Sequence, residues 1–463
     1  MSAQISSMLI RGKAGLAVNK PVEPVPPGWA WVAVNSIARQ ETGHTPSRSH
    51  PEWWGGDIPW IGIRDARLHH GGVIYETLQT TNPLGLANSS ARLLPKGTVC
   101  LSRTASVGYV TIMGRDMATS QDFVTWTCSE ALIPEFLVKA LIAEGEGLRK
   151  FGKGTTHTTI YFPEIRALHI CLPPLAEQKR IVAKLDALNA KSARARTELA
   201  RIETLVSRYK QAVLSEAFSG ELTRGQVSNW SSCILGDLAL DVRYGTAEKC
   251  TYAPELTPVL RIPNVANGRI DLSDLKHASF NEKELMKLAL VEGDLLVIRS
   301  NGSIDLVGRS AVVDSAAAGM LFAGYLIRIR LDLTKALPPF IQYWMQSLAV
   351  RRTIEDAAKS TSGVNNINSQ QLQALQLQLP ALEEQQEIVR RIESAFAKID
   401  RLAGEAKRAL GLVGRLDEAI LAKAFRGELV PQDDNDEPAE KLLERIRSQR
   451  QATPRAGRGR GKV

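Results

Sequence analysis

One feature constrains this chain more than any other: part of it is written twice. The segment LPPLAEQKRIV at residues 172–182 returns as LPALEEQQEIV at 379–389, and AVLSEAFSGEL at 212–222 returns as AILAKAFRGEL at 419–429. Both pairs are offset by 207 residues without a gap, and aligning 172–223 on 379–430 gives 22 identities in 52 positions. Chance supplies only a few, so the chain carries an internal duplication. Two copies at so long a period are too few for a solenoid; they define two domain-plus-helix units in tandem. The length of 463 residues fits, since ~100–200 residues per domain gives two to four domains.

The repeated segment reads as a long helix. Pro173 and Pro174 stand at its start, where a missing N–H costs nothing, and Gly220 and Gly427 stand near the ends of the two copies. Between them apolar or small residues recur at alternating steps of four and three. In the first copy these are Ile181, Leu185, Leu188, Ser192, Ala195, Leu199, Ile202, Val206, Tyr209 and Val213. In the second they are Ile388, Ile392, Ala395, Ile399, Leu402, Ala406, Ala409, Val413, Leu416 and Ile420. A period of about 3.5 sustained in this way is a coiled-coil seam. Such a matched pair is expected to pack together, antiparallel; the alternative is that each helix lies on its own domain.

The rest divides around these helices. Residues 1–27 read as an arm, 28–170 and 224–378 as globular domains, 171–223 and 379–430 as the spacer helices, and 431–463 as linker, short helix and basic tail. Both domains open alike, with Trp29 over Trp230, both expected in the core. Each then shows a β-rich hairpin around a polar, Arg-bearing loop, at 93–112 and 289–313, and closes on a small polar loop, FGKGTTHTTI at 151–160 and STSGVNNI at 360–367. The fold class is α+β. Trp53, Trp54 and Trp60 read as core rather than as base-stacking residues, and the acidic 432–438 stretch as a solvated linker.

Several classes drop out. The start lacks an apolar stretch with a small-residue cleavage pattern, so no secretory signal is read. The longest uncharged apolar-rich run, 315–327, lies between Asp314 and Arg328 and falls short of the ~20 residues that span a bilayer. The five cysteines form no CxxC pair and suit free thiols in a reducing cytoplasm. No GxxxxGK[ST] phosphate loop, HExxH metal motif or Asn/Asp-Pro-Pro-Tyr/Phe motif occurs, so a catalytic role for this chain is not expected.

The chain resembles the specificity subunits of type I restriction–modification systems. LPPLAEQKRIV with AFSGEL, LPALEEQQEIV with AFRGEL, PEWWGGDIPWIGIRDA at 51–66 and LSRTASVG at 101–108 carry the resemblance, which covers nearly the whole chain. The second hairpin loop, RSNGSIDLVG at 299–308, is longer than its partner. The resemblance implies two target-recognition domains, each reading one half of a split site on double-stranded DNA. The helices then act as a spacer and as a dock for two methyltransferase (modification) subunits, with two restriction/translocase subunits completing the complex. S-adenosylmethionine, ATP and magnesium would belong to those partners, with no cofactor in this chain. Two similar readers on antiparallel helices give a pseudo-two-fold repeat, which suits the two-fold symmetry of the DNA backbone. A coiled-coil scaffold whose globular domains bind other proteins is the alternative.

Phosphates call for Lys, Arg and hydroxyls, and base edges for Arg, Asn and Gln. In the first domain this selects Arg103, Thr104 and Ser106 in the hairpin loop, Lys153, Thr155, Thr156 and His157 in the loop before the helix, and Arg64 and Arg67. In the second it selects Arg299, Asn301, Ser303, Ser362, Asn365, Asn366 and Arg261. Glu177, Gln178, Glu384 and Gln385 fall in the first turn of each helix, where they cap it, complement its dipole or meet a partner subunit.

The formal net charge is +9, which suggests nucleic acid only weakly. Residues 445–463 hold seven basic groups and no acid, leaving +2 for the other 444 residues. The tail either offers non-specific phosphate attraction or is simply disordered; the specific case rests on the duplication, the family motifs and the loops.

Overall fold

The computed structural model describes residues 9–104, 106–153, 158–223, 229–359 and 363–452. It divides into two compact units, residues 1–197 with 410–463 and residues 198–409. The divisions fall inside two long helices, Leu175–Phe218 and Leu382–Ala424. Each unit therefore holds one globular domain and part of both helices.

In the first unit a five-stranded sheet runs in the order Ala38–Thr42, Phe123–Cys128, Val99–Ser102, Val110–Met113, Val73–Ile74. Its central hairpin is buried along both strands, which is why VCLS and VTIM read as near-continuous apolar runs rather than alternating ones. A three-stranded sheet, Ala118–Thr119, Trp54–Ile61, Gln79–Thr81, lies beside it in the chain. A third sheet joins Ala30–Ala33 to Leu168–Leu172, the strand that leads into the first long helix. The expected N-terminal arm is not separate. Ile10–Arg11 and Leu16–Val18 form a hairpin that adds to the Leu168–Leu172 edge. The buried Glu144 carboxylate holds its turn, accepting the backbone N–H groups of Lys13, Ala14 and Leu16.

The second unit repeats this plan. Its main sheet runs Ala239–Tyr244, Leu326–Leu331, Leu295–Ile298, Ser310–Val312, its three-stranded sheet Lys276–Ala278, Thr257–Leu260, Leu321–Phe322, and Ser231–Ile234 pairs with Gln376–Leu379. The register of the three central strands matches, while the outer strand Ala239–Tyr244 carries a bulge and the second sheet has four strands where the first has five among the described residues. Val99 faces Ile112 and Trp126, while Leu295 faces Val312 and Ile329. The two domains are thus one topology used twice, although they share little sequence. The longer second hairpin loop accommodates its extra residues as a 3-10 turn, Ile304–Leu306.

The two long helices pack together within each unit, running in opposite directions. In the first unit Ser192 Oγ donates to Asp417 at 2.6 Å and Arg196 pairs with the same carboxylate, while Arg180, nearer the start of its helix, reaches Asp436 at 2.6 Å. In the second unit Lys210 pairs with Asp400 at 2.6 Å, and Arg391 donates to the carbonyl of Leu222 at 2.6 Å. The seam is closed at the helix ends and open between. Ile181, Leu185, Ile388 and Ile392 are fully buried, whereas Tyr209, Leu402 and Leu416 are 60, 56 and 54% exposed. Tyr209 and Leu402 line one apolar groove with Leu199, Ile202, Ala406 and Ala409.

Each domain also grips the far end of the other helix. Phe136 meets Phe425 in the first unit and Phe340 meets Phe218 in the second, both at 5.4 Å between ring centroids. The final helix, Ala439–Ala452, buries Ala439, Leu442, Leu443 and Ile446 in the core of the first unit. The acidic stretch before it is not simply solvated: Asp436 is held by Arg180.

Candidate nucleic-acid interface

In both domains the hairpin loop and the loop before the long helix meet. The Ile160 N–H donates to the Arg103 carbonyl at 2.9 Å, and the Ile367 N–H donates to the Arg299 carbonyl at 2.8 Å. Segments some sixty residues apart in sequence are thereby tied into one polar edge. In the second domain the tie extends into a short antiparallel ladder, Ser300–Asn301 on Asn365–Asn366.

Each junction is built around its arginine. Arg103 donates to the carbonyl of Gln121 at 3.1 Å and lies over the Phe162 ring at 4.5 Å. Arg299 donates to the carbonyl of Gly324 at 3.5 Å and to Asn366 Oδ1 at 3.2 Å, and lies over the Tyr244 ring at 4.7 Å. A guanidinium stacked on an aromatic face is held in orientation without losing its outer N–H groups. Burial pulls the Arg103 guanidinium below its ordinary pKa, with Asp122 and Tyr161 acting the other way; it stays a cation at neutral pH.

The other selected residues are placed as follows. Thr104 donates to Asp122 at 2.6 Å, which commits its hydroxyl to the loop's own shape, and the Ser106 backbone carbonyl accepts from Ser102 at 2.5 Å. Lys153 is exposed and pairs with Glu164 at 3.3 Å. Asn301 accepts from the Ser303 N–H at 2.8 Å, and Asn365 donates to the Gly302 carbonyl at 3.1 Å. Arg64 and Arg67 are exposed on the helix Ile63–Leu68, and neither forms an ion pair among the described residues. Arg261 is paired with Asp274 at 2.8 Å. Thr155, Thr156, His157 and Ser362 lie outside the described residues.

Aromatic residues near these junctions escaped the sequence reading. Tyr161, Tyr244 and Tyr325 are exposed next to the loops. Of the tryptophans, Trp60 is buried and donates to the His44 carbonyl at 3.1 Å, Trp54 packs on it edge-on, and Trp53 stacks on His50 at 4.1 Å. Trp29 and Trp230 are core residues.

The helix-start residues are turned inward. Glu177 accepts from Trp29 Nε1 at 3.0 Å, and Glu384 accepts from Trp230 Nε1 at 3.1 Å. Gln178 and Gln385 are fully buried. Gln178 accepts from the Ile133 N–H at 3.0 Å and donates to the carbonyls of Ala131 and Pro173 at 2.9 and 3.1 Å. Gln385 does the same with Leu337, Lys335 and Pro380, each at 2.9 Å. The two glutamines use their side-chain oxygen and both N–H groups inside the chain, while Glu177 and Glu384 keep their places in the first turn of their helices, where a carboxylate complements the dipole. Burial raises the Glu177 pKa, and its bond from Trp29 opposes that.

The comparisons with known proteins agree with this duplicated plan. The family model for the type I restriction modification DNA specificity domain matches twice, over residues 26–204 and 228–408. The StySPI specificity subunit of Salmonella potsdam is 30% identical over 452 residues, covering 92% of this chain and 96% of that one. The EcoKI specificity subunit of Escherichia coli K12 is 35% identical over 302 residues, covering 62% of this chain and 65% of the other. Among solved structures, a chain from work on complex assembly and conformational transition of the type I R-M system superposes with TM-score 0.69 at 21% identity, covering 88% of this chain and all of that one. The HsdS subunit from Thermoanaerobacter tengcongensis gives 0.59 at 20% over 88% and 99%. At those identities the structures testify to the fold. Two matched domains, each closed by a long helix and aligned along nearly the whole length of the Salmonella subunit, make this chain a member of the type I restriction–modification specificity-subunit family.

Proposed function

We propose that this chain is the non-catalytic reader of a bipartite, asymmetric DNA site, one half-site per domain. The observation that carries the reading is the repeated junction: in both domains two polar loops converge on a stacked arginine, Arg103 or Arg299. Arginine offers bidentate donors to guanine O6 and N7, and the asparagines and hydroxyls around it suit adenine and phosphate. Because the loops differ between domains, the two half-sites differ. The long helices act as an antiparallel, coiled-coil-like spacer that sets the gap between the half-sites, and the internal duplication supports reading the chain as a pseudo-two-fold repeat.

Two methyltransferase subunits dock on the helices, with two restriction subunits completing the complex. Support comes from the open stretch of the helix pair, where Leu205, Tyr209 and Leu402 border an apolar groove of about 440 Å³. S-adenosylmethionine, ATP and magnesium serve those partners, and the complex works in the cytoplasm. No helix among the described residues is long and apolar enough to cross a membrane. Family membership weighs against the protein-binding scaffold.

Co-expression with the methyltransferase subunits and sequencing of methylated adenines tests this reading. The expected result is a split site with two unlike halves. Absence of DNA binding by the complex at low salt, or an unsplit site, would refute it.

A further inference from the structure

The Glu–Gln pair at each helix start does more than begin a helix. In each unit it ties three separate segments into one network. The glutamate takes the indole N–H of the domain's first core tryptophan, Trp29 or Trp230. The glutamine accepts from the residue that opens the domain's own helix, Ile133 before Pro134–Glu144 or Leu337 before Pro338–Gln346. It donates one N–H two residues upstream, to Ala131 or Lys335, and the other to the proline carbonyl just before the long helix, Pro173 or Pro380. An amide has one oxygen and two N–H donors, and here all are engaged. The same bonds recur at equivalent addresses in two domains whose other residues have diverged.

A helix merely needing a start requires none of this. Capping satisfies the helix's own first N–H groups, whereas these side chains reach away from the helix into the domain. Bonds in several directions from one turn fix an orientation, because no rotation of the domain about the helix start keeps all of them.

We propose that Trp29–Glu177–Gln178 and Trp230–Glu384–Gln385 are joints that fix the angle of each recognition domain on its long helix, and that they thereby set how strictly the complex discriminates the distance between half-sites. These are positioning residues and touch no DNA. The inference rests on the bipartite reading proposed above.

The test uses the complete complex of this chain with its methyltransferase subunits. Binding is measured to duplexes carrying both half-sites at the native spacing and at spacings one base pair longer or shorter. Gln178→Leu, Gln385→Leu and Trp29→Phe are expected to lower the native-to-altered affinity ratio by about tenfold or more, with the methylated half-site sequences unchanged. Glu177→Gln keeps an acceptor for the indole and is expected to retain the native ratio. Trp29→Phe keeps the ring in the core while deleting the N–H, so it reports on the joint even where a leucine variant fails to assemble. A fall in affinity that is equal at all spacings, or an unchanged ratio in Trp29→Phe, overturns the joint. A wild-type complex indifferent to spacing would instead overturn the bipartite reading, which is a separate result.

Discussion

Asp294 offers a sharp test of how the repeated topology carries different chemistry. Its side chain is buried, accepts the Val291 N–H at 2.8 Å and receives Arg330 at 2.8 and 2.7 Å. Arg328, with its side chain 3% exposed, lies 4.0 Å away and also bonds Asp241 and the Ala289 carbonyl. At the equivalent addresses of the first unit stand Thr98 and Thr127, joined by a 3.0 Å hydroxyl bond. Asp294→Ala removes the anion and leaves buried positive charge undercompensated. Breaking such a pair typically costs about 3–5 kcal/mol. Arg330 is 31% exposed and recovers some hydration, which favours the lower end. For a unit of this size each kcal/mol lowers the melting temperature by about 2–4 °C, so a drop of roughly 6–12 °C is expected. Asp294→Thr with Arg330→Thr installs the neutral pair of the first unit and should recover most of that loss. Calorimetry with hydrogen exchange of the strand Leu295–Ile298 provides the readout, and the strand Val99–Ser102 is the internal control. A single variant that melts within 2 °C of wild type, or a double variant worse than the single, would refute the reasoning.

Other outcomes follow from the same structure. Phe425→Ala empties a buried ring site in the first unit and is expected to destabilise that unit by about 3–5 kcal/mol, seen as lost exchange protection around Phe136 with the second unit unaffected. The carboxyl of Asp241 sits below its usual range, held mainly by Arg243 and then Arg328 against burial. A depressed folded-state pKa gives stability that is present above the unfolded value and lost as pH falls through the folded one. Acid titration of Asp241→Asn should therefore show a flatter stability curve below about pH 4. Arg103→Ala and Arg299→Ala should each weaken binding by about 1–3 kcal/mol and relax readout at one half-site only, measured with duplexes randomised in one half; equal loss at both halves would contradict it. Removing residues 453–463, which contain four basic groups, should lower the salt slope by no more than ~0.9 per lost phosphate contact and leave the recognised sequence unchanged.

Much of this architecture could be read from the chain. The gapless repeat located both long helices, since an amphipathic period and terminal prolines and glycines are local signals. The hairpin loops were legible for the same reason. What escaped depends on tertiary partners. Glu177 and Gln178 look like capping residues because nothing nearby in sequence says that Trp29 and Ile133 lie against them. The seam pattern predicts burial of Tyr209 and Leu402, but a heptad reports a face and not how closely its partner packs, and both side chains are exposed along an open groove. The N-terminal hairpin was invisible because its strands are two and three residues long and are held by Glu144, more than a hundred residues away. The equivalence of Thr98 with Asp294 needs strand register, which low sequence similarity does not supply.

The bond from Ile160 to Arg103, and its twin from Ile367 to Arg299, also bears on how specificity can be changed. Neither loop is an independent cassette. Transplanting a hairpin loop alone would leave the incoming arginine facing a foreign second loop. New half-site preferences should therefore be acquired by exchanging the whole stretch from hairpin to helix start, with crossovers falling in the repeated helices, where the two copies already match.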